Sequence, residues 1–196
     1  NDEALKESVS AVRRIFKAGV GLSVIDAAGD VTRLDTALNK YSADLGFDVS
    51  EYNALDQGGL SVEKQMVCTV INEFDITNEE IYQNSIKSGL GIVKLNKAIS
   101  YENVKNNVAD YALFYGIDLN AQKYKSIKNL DTLYKKCAVG IPYSGLGNFK
   151  SMFQTYIDQT IDEERVPVNS GGGGSAPKGT TTVNTYIPPA ASPVTN

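Results

Sequence analysis

Cys68 and Cys137 are the only two cysteines in a chain of 196 residues that has no histidine and no tryptophan. They can make one pair. In an oxidising compartment that pair becomes a disulfide closing a loop of about 70 residues, worth ~4 kcal/mol by chain-entropy reasoning before strain is subtracted. In a reducing compartment the same residues are two buried thiols, and each lies inside an apolar helical pattern that suits either state. The missing histidine matters more for catalysis. It removes Ser-His-Asp and Cys-His chemistry and the usual zinc hydrolase sites, since histidine is the common general base and metal ligand near neutral pH. Carboxylate-only or lysine-based catalysis stays open, and no spacing selects it.

Three other stretches have residue types that do chemistry elsewhere. Asp162-Glu163-Glu164 groups carboxylates, and the flanking pattern makes them the solvated end of a helix. Gly140-Ile141-Pro142-Tyr143-Ser144-Gly145-Leu146-Gly147-Asn148 leads into a helix, so its amides can cradle an anion or simply form a structured turn. Gly89-Leu90-Gly91 starts like a dinucleotide fingerprint, but no third glycine follows at the required spacing. The sequence has no Walker motif, zinc spacing, calcium loop or nucleophile elbow. The expectation is therefore no catalytic residue, no cofactor and no metal.

The elements that position these residues read mainly as helices. Leu5, Val9, Val12 and Phe16 repeat at helical spacing from Glu3 to Lys17, with acids at the start and Gly19 at the end. Leu34, Leu38, Tyr41 and Leu45 repeat likewise up to Gly46. A third helix follows the Gly58-Gly59 break, capped by Ser61 and running through Cys68 to Phe74. Thr77-Asn78-Glu79-Glu80 reads as a capping box opening a fourth helix that ends near Gly89. Val104 to Tyr115, Ile127 to Cys137 and Phe149 to Ile161 complete seven segments. Strand candidates are Val20 to Ile25, Gly91 to Leu95 and Ala138 to Ile141. The fold class expected is α+β and helix-rich, one domain with a small sheet at most, with an all-α bundle as the alternative.

Composition sets the outer limits. Residues 1–169 suit one globular domain, 170–175 form a glycine/serine linker, and 176–196 form a tail with one charged residue, Lys178, and four of the six prolines. The net charge of -4 offers no field for a polyanion, and acidic residues surround both basic clusters, Arg13-Arg14 with Lys17 and Lys123 with Lys125 and Lys128. Nucleic acid is not expected as the main ligand. No apolar run is long enough to span a membrane. The chain starts at Asn1, which fits removal of a leader or anchor segment.

Two groups of apolar and aromatic residues are candidates for contact with a partner. Phe149, Phe153 and Tyr156 lie on the last helical stripe, where a core role competes with a partner groove. Tyr186, Ile187, Pro188 and Pro189 in the tail form an aromatic next to a preformed extended Pro-Pro unit. Eleven tyrosines also suit subunit contacts, because tyrosine joins a large contact area to a polar tip.

Gly59-Leu60-Ser61 leading to Cys68, then Gly89-Leu90-Gly91-Ile92-Val93-Lys94, then Lys128-Asn129-Leu130-Asp131 leading to Cys137 with Pro142 and Gly147-Asn148 beyond, together resemble the carboxyl-terminal half of type IVb pilins of the toxin-coregulated kind. The resemblance implies a disulfide between Cys68 and Cys137 that delimits a D-region, an α+β head, and an exported subunit that polymerises into a surface fibre. The polymerising hydrophobic helix of pilins is not in this sequence.

The function expected is that of a non-enzymatic structural or interaction protein, a pilin-like subunit of an exported or surface assembly. One alternative is a coat subunit of a virion or similar particle. Another is a binding module with a tethered partner peptide at 176–196. Its partner is protein, through self-association or a peptide, and its place is the cell surface, the extracellular space or a virion.

Overall fold

The computed structural model describes residues 2–55, 61–138 and 142–165. Over these the chain forms nine helices: α1 (Asp2–Asp26), α2 (Val31–Tyr41), α3 (Ser50–Asn53), α4 (Val62–Ile71), α5 (Glu79–Asn96), α6 (Tyr101–Tyr115), α7 (Gln122–Lys125), α8 (Leu130–Ala138) and α9 (Leu146–Arg165). The expected break at Gly58-Gly59, the linker 170–175 and the tail 176–196 lie outside the described residues.

Among the described residues there is no strand, so the all-α alternative holds and the small sheet does not. Val20 to Ile25 is the last part of α1, and Gly91 to Leu95 lies inside α5. Ala138 ends α8, and the rest of that candidate, residues 139–141, lies outside the described residues. The physical reason is clearest in α5. Tyr82, Ile86, Leu90 and Val93 face one apolar cluster, while Ile92 and Leu95 face another. A helix buried on two sides shows a continuous apolar run, the same signature as a buried strand. The expected ends at Gly19 and Gly89 fail for a related reason, since both glycines sit within helices.

Where the ends of helices are marked by side chains, the chemistry is local. Asp30, Ser61, Asn78 and Ser100 each have extended backbone and accept a hydrogen bond from the amide three residues on, at 2.9, 3.0, 2.9 and 3.2 Å. The cap expected at Thr77 is thus one residue later, at Asn78. Gly116 ends α6 in the left-handed region at φ 65°, a conformation that favours glycine.

Two apolar clusters make the core. The first joins the end of α1, α2, Tyr52 of α3, α4 and the first face of α5. The second joins Val70 of α4 and the other face of α5 to α6, α7, α8 and α9. Small residues let α5 serve both. A Cβ on Gly89 would stand 3.0 Å from the Val67 Cα of α4, and one on Gly91 would come within 2.6 and 2.8 Å of the Tyr111 ring of α6. Ser85 and Ser88 are also buried here, and their hydroxyls donate to the carbonyls of Tyr82 and Asn84 at 2.8 and 2.7 Å. The glycines of the apparent fingerprint are therefore helix-packing residues.

Gly91→Ala would gain helix propensity of about 1 kcal/mol and press against the half-buried Tyr111 ring and the fully buried Tyr115. A net loss of about 2 kcal/mol in chemical denaturation is expected. Gly19→Ala, where nothing stands within 4 Å of the added Cβ, should instead stabilise α1 by about 0.5–1 kcal/mol. Equal midpoints for the two variants would contradict this account of α5.

Candidate interaction surface

The sequence candidates divide into buried residues and satisfied ones. Phe149 and Phe153 are buried in the second cluster, with ring centroids 5.5 Å apart, and Tyr156 is half-buried against it. The core role wins at this stripe: the two phenylalanines form no partner groove. Tyr186, Ile187, Pro188 and Pro189 lie outside the described residues.

The tyrosines are structural as well. Six are buried: Tyr52, Tyr82, Tyr115, Tyr124, Tyr134 and Tyr143. Burying a phenol costs free energy unless its hydroxyl is paired; five of the six have internal partners, while among the described residues the Tyr52 hydroxyl has none and Lys64 lies over its ring. Tyr82 bonds Ser42, Tyr124 bonds Tyr134, Tyr115 donates to Asn107 Oδ1 at 2.8 Å, and Tyr143 donates to the Cys137 carbonyl at 3.0 Å. Burial holds the Tyr82 hydroxyl up at about 12, so it keeps its proton at any physiological pH. Abundant tyrosine here reflects a core built with polar tips, a use that composition alone does not separate from an interface.

Cys68 and Cys137 are free thiols, both buried, and they belong to different apolar clusters. The disulfide that the pilin resemblance implies is not formed. Cys68 Sγ is directed to the Ala28 carbonyl at 3.9 Å. Burial raises the pKa of both thiols, that of Cys137 to about 12, which leaves them protonated and unreactive near neutrality.

The glycine-rich loop does hold an anion, and the anion is the chain's own. Glu73, just after α4, accepts from the amides of Leu146 at 2.9 Å and Gly147 at 2.7 Å at the first turn of α9. A carboxylate there satisfies free amides and meets the positive end of the helix dipole. A side chain at Gly145 would collide with that carboxylate. The acidic cluster is used in the same way. Glu164 accepts from the amides of Lys128 and Asn129 ahead of α8, Glu163 pairs with Lys136 at 2.7 Å, and Asp162 pairs with Arg165 at 3.6 Å. The amides of Lys128 and then Asn129 hold the Glu164 carboxyl below its ordinary value, so its contribution is present at neutral pH and lost as acid protonates it.

Among the described residues, the part left uncovered is the first part of α1. Every residue from Asp2 to Lys17 is exposed, and Leu5, Val12, Ile15 and Phe16 are each between 65% and 74% exposed. At 3.6 residues per turn, Leu5, Val9, Val12 and Phe16 fall within about 60° of one another. Ala18, Gly21 and Ile25, the residues that α1 buries, point about 180° away from that stripe. The stripe thus faces outward from the body, while Gly21 brings α1 close to Tyr41 of α2. Helical spacing alone made this stripe legible, but not its direction. The signal that finds it is the second apolar set, Ala18-Gly21-Leu22-Ile25, on the opposite side of the same helix.

The stripe continues through Val20 and Val24, both partly exposed, into a groove of about 530 Å³ between α1 and α2. Val24, Ala27, Ala28 and Ala37 make its apolar wall, and Arg33 and Lys40 stand at its rim. From Ser8 to Ile25 the helix has three cations, Arg13, Arg14 and Lys17, and no acid.

The free thiols give a direct check on the core. Intact mass should be unchanged by reductant, and an alkylating reagent should add to neither cysteine in the native chain and to both in denaturant. A mass rise of two hydrogens on reduction would contradict the two separate thiol sites. Comparison with protein-family models, with curated proteins and with solved structures finds no match to this chain, so the surface is read from its own geometry.

Proposed function

We propose that the chain is a non-enzymatic structural subunit of an exported or surface assembly, and that the outward half of α1 is its point of attachment. The observation that carries this reading is the stripe Leu5-Val9-Val12-Phe16, uncovered among the described residues, on about three turns of helix. Fully burying a side chain of this kind contributes about 1.5–3 kcal/mol, so covering the stripe is strongly favourable. A helix of this length without tertiary cover is marginal in water, and attachment would also stabilise the helix itself. Contiguous apolar surface of this sort marks an interaction site on a monomer. A pilin-like fibre and a particle coat are the two forms of assembly that this face would serve.

The non-enzymatic part of the reading rests on chemistry already accounted for. The carboxylates of Glu73, Glu163 and Glu164 are held in capping and ion-pair roles, the thiols are buried, and the chain has no histidine.

Fractionation of the cell that makes the protein tests the reading. The native chain should appear in a high-mass or surface fraction, and a chain with Val12→Asp and Phe16→Asp should shift to the free fraction by tenfold or more. Both positions are exposed, so thermal stability should change by no more than about 0.5 kcal/mol per substitution. Identical distribution of the two chains would contradict attachment through α1.

A further inference from the structure

We propose that the surface to which α1 attaches is an anionic lipid bilayer, on which the helix lies in the plane of the headgroups; this rests on α1 being the attachment face. Three observations converge on that partner. The first is the width of the apolar arc. Ala4, Leu5, Val9, Ala11, Val12, Ile15 and Phe16 occupy about half of the helix circumference. An arc that wide suits immersion in an interface and exceeds the narrow seam of a two-helix coiled coil.

The second observation is charge. Lys6, Arg13 and Lys17 project within about 40° of one another along one margin of the stripe. Among the described residues Lys6 and Arg13 have no ion-pair partner, and Lys17 reaches Asp44 only at 3.9 Å. Asp2, Glu3 and Glu7 balance Lys6 in the first turns, and from Ser8 onward Arg13, Arg14 and Lys17 have no acid beside them on the helix up to Ile25. A second copy laid antiparallel on this face would bring Lys6 toward Arg13, like charge against like. An anionic lipid surface meets all of them with the opposite sign.

The third is continuity with the groove at the foot of the helix. Its apolar wall prolongs the stripe, and Arg33 and Lys40 at its rim lie where the headgroups would be. Arg33 pairs with Asp30 at 3.3 Å, and Lys40 lies over the Tyr41 ring with no ion-pair partner among the described residues. No helix among the described residues is long and apolar enough to cross a membrane, so the mode is lying on the surface.

The full chain with Phe16→Trp supplies a probe, because the native sequence has no tryptophan. Mixed with vesicles of phosphatidylcholine containing phosphatidylserine, it should show a blue-shifted emission and float with the vesicles. Binding should fall at least tenfold on pure phosphatidylcholine, at least tenfold in high salt, and at least tenfold when Lys6, Arg13 and Lys17 are changed to glutamine. Lys105→Gln, on the exposed face of α6, should leave it unchanged. No flotation with anionic vesicles, or equal binding to neutral ones, overturns the proposal. Dimers in lipid-free solution that Val12→Asp dissolves would also overturn it, by making a second copy the occupant. If flotation fails while the fractionation of native and α1-substituted chains still differs, the lipid is wrong and attachment through α1 stands.

Discussion

The close approach of α5 to its neighbours is the constraint on which the rest of the molecule depends. Gly89 lets α4 lie against it and Gly91 leaves room for the tyrosines of α6. With small residues at these points, one helix presents apolar side chains to two clusters at once. Each cluster then needs only helices to complete it. Close packing of this kind tolerates little added volume, because protein interiors have few voids to absorb it. Glycine lowers helix propensity, so the contact energy gained across both faces must outweigh about 1 kcal/mol lost at each.

Apart from the Tyr52 hydroxyl, the polar groups drawn into this core are matched in place among the described residues. Asn107 donates to the Gly91 carbonyl at 2.9 Å and accepts from Tyr115, which ties α6 to the middle of α5. Ser88 adds a bond of 2.7 Å to the Phe114 carbonyl of the same partner helix. Farther out, Glu73 joins the end of α4 to the start of α9, and Glu164 joins the end of α9 to the approach to α8. These contacts use carboxylates as anchors for helix starts. They give Glu73 and Glu164 structural partners far from them in the sequence.

Much of the helical content was legible because amphipathic stripes with local caps are encoded over short distances. Ser61 and Gly116 are marked by their own chemistry, and the structure uses both. The errors fall where tertiary packing overrides local pattern. Gly19 and Gly89 read as stops, yet helices pass through them; Ile92 and Val93 read as strand because α5 is covered on two sides. The partner of a carboxylate such as Glu73 lies more than seventy residues away in sequence. No local signal reports it. For the surface, the stripe from Leu5 to Phe16 was visible, but that the body covers the other side depends on where α2 packs.

The outward half of α1 is thus the one extended apolar face that the described fold leaves without a purpose of its own. Hydrogen exchange on the monomeric chain tests this most directly. Amides of residues 6–17 should exchange near the rate of a frayed helix, while those of residues 82–95 in α5 should be protected to nearly the global unfolding limit. Protection of residues 6–17 equal to that of α5 would mean that the chain already covers its own stripe, and would contradict the account.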